Sequence, residues 1–228
     1  MKRYYLASLV ILTLLCSTSC VAQKNTGSTI VSTNKTIYTK ALEYGDYNTA
    51  IVAAHTILAN SPADYHYMDS LVGLYYASGN MLAAVNIGND ILTAAPQNVN
   101  VRQMVANSQL GLGIYGEAAL NFQDLYTRTK DLFFLYNVAT TQFNMKNYTE
   151  CAATLDNILK AEGNMDKIPL TGADGKTQEI PIKAAAYNIK GAIAVEVKNN
   201  AVAKQNFEEA LKIAPDFSLA KKNLAELK

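Results

Sequence analysis

Side chains able to do chemistry are few in this sequence. The two histidines, His55 and His66, fall on separate predicted helices with no acid-rich motif beside either. In "DYHYMD", residues 64–69, His66 and Asp69 stand at i and i+3 and so are neighbours on a helix. Two ligands do not make a metal centre, and a solvated helix face accounts for the pattern. Asp174-Gly175-Lys176 reads as a turn without the acidic ladder of a calcium loop. There is no zinc-type spacing of Cys and His, no glycine-rich phosphate loop and no nucleophile elbow. Cys151 has no histidine or other base near it in sequence and is expected to act as a small buried hydrophobe rather than a reactive thiol. Catalysis therefore finds no support, and no metal or cofactor is implied. The lysines are scattered and the formal net charge is +1, so no basic stripe for nucleic acid can be drawn.

The elements that would position any site come from a repeat. In "GDYNTAIVAAHTILANSP", residues 45–62, a turn precedes an alanine-rich amphipathic run that stops at Pro62. Taking Ala50 as a marker, apolar residues follow at +4, +7 and +8: Ala54, Ile57 and Leu58. The same ladder follows Ala84 (Gly88, Ile91, Leu92), Ala118 (Phe122, Leu125, Tyr126), Cys151 (Leu155, Ile158, Leu159) and Ala203 (Phe207, Ala210, Leu211). That spacing is one face of a helix. Five residues before each marker lie Gly45-Asp46, Gly79-Asn80, Gly113-Ile114, Lys146-Asn147 and Lys198-Asn199. Glycine and asparagine tolerate the left-handed backbone that closes a short helix-to-helix turn. Pro62, Pro96 and Pro215 end three of the pairs, and Lys130 and Gly163 stand at the corresponding places of the others. The period is about 34 residues, that of a stacked two-helix repeat. Each small marker is expected where the helices of a pair cross closely.

Here the chain resembles the tetratricopeptide repeat family. The fifth copy carries Tyr187, Gly191, Ala203, Phe207, Ala210 and Pro215 in family positions, the second Leu71, Tyr75, Ala84 and Pro96, and the first Ala50 and Pro62. The resemblance implies an all-α, right-handed superhelical solenoid of about five helix pairs over residues 31–228. The expected helices are 31–44 and 47–60, 64–78 and 81–94, 98–112 and 115–129, 131–145 and 148–162, and 183–197 and 200–213. A C-terminal capping helix follows, with Asp216 as its N-cap and Leu219, Leu224 and Leu227 inward.

The last gap between markers is longer than the others by about half a repeat. The extra residues fall in 163–182, where "IPLT" and "EIPI" flank a turn at Asp174-Gly175. Pro169 and Pro181 exclude a central strand but suit a two-stranded ribbon. A β-hairpin projecting from the array is predicted, the alternative being a disordered loop.

The N-terminus reads as a bacterial export signal. Lys2 and Arg3 precede a short apolar run from Leu6 to Leu15 and then small residues. Cleavage after Ala22 makes 1–22 a signal peptide. The alternative is a lipoprotein with lipid on Cys20, although Ser17 stands where such signals carry leucine. Residues 23–30 are polar and read as a flexible lead-in. Membrane contact is expected only through a lipid at Cys20, and the destination is the periplasm or cell envelope.

The family resemblance further implies that first-helix side chains line a groove. Carried onto this chain, they are Lys35, Thr39, His66, Asp69, Tyr76, Asn100, Gln103, Asn107, Phe133, Tyr136, Asn144 and Asn188. Amides and aromatics with few charges suit an extended peptide, held by hydrogen bonds to its backbone and by stacking. Phe133 reads equally as core. The family's clamp for a chaperone's C-terminal carboxylate is not implied. Lys35 fills one of its places, but Thr39, Ser70, Asn100 and Met104 fill others. The expected function is a non-catalytic scaffold or adaptor of the cell envelope that binds a protein or peptide. The alternatives are an envelope protein that binds a small molecule or glycan, and a structural subunit of an envelope assembly.

Overall fold

The structure is a computed structural model and describes residues 27–162, 167–172 and 175–227. The signal region 1–22 with Cys20, residues 23–26 of the lead-in, and Asp174 of the turn lie outside the described residues. Among the described residues there are eleven helices and one two-stranded antiparallel sheet. They form two compact units, divided between Gln97 and Asn98, where the sequence suggests a single repeat domain.

The first unit holds α1 (27–43), α2 (Tyr47–Asn60), α3 (Tyr65–Ala77) and α4 (Met81–Ala94). Residues 27–30 are helical rather than part of a flexible lead-in. The second unit holds α5 (Val99–Gly111), α6 (Tyr115–Thr129), α7 (Leu132–Asn144) and α8 (Tyr148–Lys160). It continues with β1 (Lys167–Thr171), β2 (Thr177–Pro181), α9 (Ile182–Glu196), α10 (Asn200–Ile213) and α11 (Ser218–Ala225).

The small markers sit where helix pairs close. Ala50, Ala84, Ala118, Cys151 and Ala203 are all 0% exposed. A larger side chain at any of them would push the two helices apart, at about 1–3 kcal/mol. In the fifth pair the approach is closer still. A Cβ on Gly191 would come within 2.3 Å of the Phe207 ring, so the ring of α10 lies directly on the backbone of α9.

The turns between paired helices share one geometry. In the first, the Gly45 N–H donates to Leu42 O and the Asp46 N–H to Ala41 O, which satisfies carbonyls the helix leaves unpaired. The residue that takes positive φ is the first of each expected doublet: Gly45 (69°), Gly79 (79°), Gly113 (75°), Lys146 (61°) and Lys198 (60°). In the last two turns it is therefore lysine, not asparagine, that adopts the left-handed backbone. Asn199 instead becomes the N-cap of α10, its side chain accepting from the Val202 N–H, as Asp46 and Asn80 accept from Thr49 and Ala83. At the far ends of the pairs, Ser61, Ala95 and Ala214 adopt non-helical backbone before Pro62, Pro96 and Pro215. Lys130 closes α6 without a proline by turning left-handed at φ 59°.

The insertion is an antiparallel hairpin with Ile168 opposite Ile180 and Thr171 opposite Thr177. It does not project. Ile168 (2% exposed) and Ile180 (4%) enter the same core as Leu155, Ile158, Ile182 and Phe217. A lone ribbon is marginal in water, and packing its apolar face on the helices supplies the missing burial. Polar contacts fasten it further. Gln178 Nε2 donates to Asp216 O at 2.8 Å, while the Ser218 N–H (2.9 Å) and hydroxyl (2.6 Å) donate to Gln178 Oε1.

Asp216 is not the N-cap of α11. Phe217 takes that place, and Asp216 is solvated beside Lys221 at 3.7 Å. Phe217 is 1% exposed, so burial of its ring sets where the last helix starts. Leu219, Leu224 and Leu227 are half-buried and pack on the core as expected.

Candidate functional site

The reactive residue types are occupied structurally. His55 Nε2 meets the Tyr75 hydroxyl at 2.8 Å, and His66 lies edge-on to Tyr67 with ring centres 5.0 Å apart. The Cys151 thiol donates to Ala139 O, and burial pushes its pKa up to about 12, which keeps it protonated at neutral pH. Among the described residues no three His, Cys, Asp or Glu side chains gather to hold a metal ion. Among them, too, no helix is long and apolar enough to cross a membrane.

The expected groove residues divide between the two units. In the first, Lys35 is engaged: its ammonium lies 3.5 Å from Asp64 and 5.4 Å from the centre of the Tyr67 ring. Tyr67 in turn packs edge-on to Tyr38, which joins α1 to α3. Thr39 is exposed and donates to Lys35 O at 3.0 Å. His66 and Tyr76 are exposed, and Asp69 is half-buried.

In the second unit, Asn100, Gln103 and Asn107 stand at i, i+3 and i+7 and so share one face of α5. Asn100 is exposed and the other two are half-buried. Their side-chain amides have no hydrogen-bond partner among the described residues. Opposite them on α5, Val101, Val105 and Ala106 are 0% exposed and Gln109 is 1%. Gln109 donates to Glu117 Oε2 and accepts from Asn121 Nδ2, both at 2.8 Å. A satisfied buried network of this kind fixes how α5 faces α6 and holds the amide row outward.

On α7, Phe133 and Tyr136 share a face and Asn144 ends it, exposed. Tyr136 is half-buried against the core, and burial of its phenol pushes the pKa up to about 12. Its ring is packing first and contact surface second. Phe133 is also half-buried, 5.5 Å from the Phe134 ring. Asn188 on α9 is already taken, since Asn223 of α11 donates to its Oδ1 at 2.9 Å. The last helix therefore closes the amide row at α9.

The sequence reading missed Lys130 and Lys167. With Phe133, Ile168 and Ile182 they line an open concavity of about 600 Å³ beside the hairpin. The length of the insertion is the one signal that pointed there.

No protein-family model matches the sequence, and no curated protein matches it. Solved structures do. The 41-end portion of MamA from Desulfovibrio magneticus RS-1 aligns with a TM-score of 0.64 at 11% identity, covering 82% of this chain and 97% of that one. A second MamA crystal structure gives 0.64 at 15% identity, covering 87% and 97%. YrrB, described as a TPR protein with an unusual peptide-binding site, gives 0.63 at 14% identity, covering 81% and 87%. At these identities the likeness is one of backbone, and with five helix pairs closed by the same turn it shows that the chain has the tetratricopeptide repeat fold.

Proposed function

We propose that this protein is a non-catalytic protein-interaction scaffold that holds an extended partner segment along the first-helix face of α5 and α7. The observation that carries the reading is the row Asn100, Gln103 and Asn107, whose amides point outward without partners among the described residues. Each amide offers both a donor and an acceptor, which matches the alternating N–H and C=O of an extended backbone. The peptide-binding site named for YrrB supports the same use of the fold. The signal-like sequence of residues 1–22 supports a bacterial cell envelope as the site of this activity. The mature N-terminus tests that part: Gln23 is expected after cleavage at Ala22, and an intact Met1 in the native host would overturn export.

Selection of peptides on the purified chain, followed by titration of the best binder, tests the scaffold. The double variant Gln103→Ala/Asn107→Ala should weaken that peptide by about 10-fold or more, each lost hydrogen bond contributing about 1 kcal/mol. Tyr136 is left intact because its ring is core. Undiminished affinity in the double variant would remove α5 as the binding face.

A further inference from the structure

We infer that the concavity beside the hairpin takes an acidic segment of a protein partner, its carboxylates within reach of Lys130 and Lys167 and a neighbouring apolar side chain against Phe133. The inference rests on the scaffold reading and adds the chemistry of the partner. Its basis is electrostatic. Lys130, Asp131, Phe133, Lys167, Ile168 and Ile182 line one space of about 600 Å³, large enough for several side chains. The acidic member is committed elsewhere, because Asp131 Oδ1 accepts the Phe133 N–H at 2.8 Å and caps α7. Neither lysine has a carboxylate partner among the described residues, and the Lys130 ammonium sits 5.6 Å from the centre of the Tyr126 ring.

One helix N-terminus adds to the positive field. The start of α7 is balanced by the Asp131 carboxylate at its N-cap, whereas α9, which starts at Ile182, has no acidic residue in its first turn. The N-cap of α9 is Pro181, which offers no side-chain acceptor. Two ammonium groups and the positive end of the α9 dipole thus border a space whose only carboxylate among the described residues, that of Asp131, caps α7. The wall that brings Lys167 there is fixed in advance, with Ile168 and Ile180 in the core and Gln178 held by Ser218. A partner therefore does not have to order the hairpin.

The test uses the full chain and fluorescence anisotropy with a dye-labelled peptide, Glu-Asp-Phe-Glu-Asp-Leu-Glu, against the same peptide with Gln and Asn in place of the acids. At low salt the acidic probe should bind at least about 10-fold more tightly than its amide counterpart, and the margin should shrink as salt rises. Lys130→Gly removes an ammonium while favouring the left-handed backbone seen at φ 59°, so the fold is kept. Together with Lys167→Gln it should abolish the preference. Equal binding of the two probes, or a preference that survives both substitutions, would overturn the inference. So would anionic lipid vesicles or a DNA oligonucleotide that displace the probe and bind more tightly through the same lysines. If peptides selected on the α5 face still bind while the acidic probe shows no preference, the scaffold stands and this inference falls. If neither binds, both fall.

Discussion

The α9–α10 pair and the β1–β2 hairpin lie side by side in the second unit, yet they are held by different means. The helix pair depends on the absence of a side chain: Gly191 has no Cβ, so the Phe207 ring rests on backbone. The hairpin depends on the presence of two, Ile168 and Ile180, driven into the helical core, and on one amide, Gln178, shared with the last helix. The first contact is a matter of shape and tolerates nothing added. The second is a matter of area and tolerates nothing removed.

Substitutions that act on one mode and spare the other sharpen the contrast. The largest effect is expected for Gly191→Ala, which forces a methyl group into the Phe207 ring and should cost about 3 kcal/mol in urea unfolding, at the upper end for overpacked cores. Adding Phe207→Leu should recover part of that loss, and a neutral Gly191→Ala would show that α9 and α10 can separate freely. Next comes Ile180→Ala, expected to cost about 2 kcal/mol through lost burial. Were the hairpin only decoration, the loss would stay below about 0.5 kcal/mol, as at an exposed position. The smallest effect has the opposite sign. Lys146→Gly and Lys198→Gly should each stabilise by about 0.5 kcal/mol, since both lysines hold a left-handed backbone that glycine adopts without strain. A fall in midpoint would mean that the lysine side chains contribute more than their backbones cost.

The same contrast explains what could be read in advance. Periodicity exposes the helix pairs because every pair needs a small crossing residue, a turn before it and an apolar ladder after it. Those three demands repeat at Ala50, Ala84, Ala118, Cys151 and Ala203. The hairpin is legible as two short strands but not as core, because nothing in "KIPLT" or "TQEIP" names the helices that receive the isoleucines. The start of α11 is hidden from the sequence for a similar reason: Asp216 has the side chain of a cap, but burial of Phe217 decides. Of the expected binding face, the α5 amides are legible only through the family resemblance, which places them on the outward side of a first helix. Asn188 is not, because its partner Asn223 lies a whole repeat away. Lys130 could not be foreseen beside the hairpin, since where its copy departs from the proline rule only the backbone angle tells how the chain turns.

The bond between Gln178 and Ser218 gives the insertion and the carboxyl-terminal helix a shared fate. Prising the ribbon loose strips the N–H and hydroxyl of Ser218 of their acceptor at the same moment. A protease that cuts the ribbon would therefore loosen the start of α11, and trimming α11 would in turn leave Gln178 without its partners, so that the two isoleucines alone hold the ribbon.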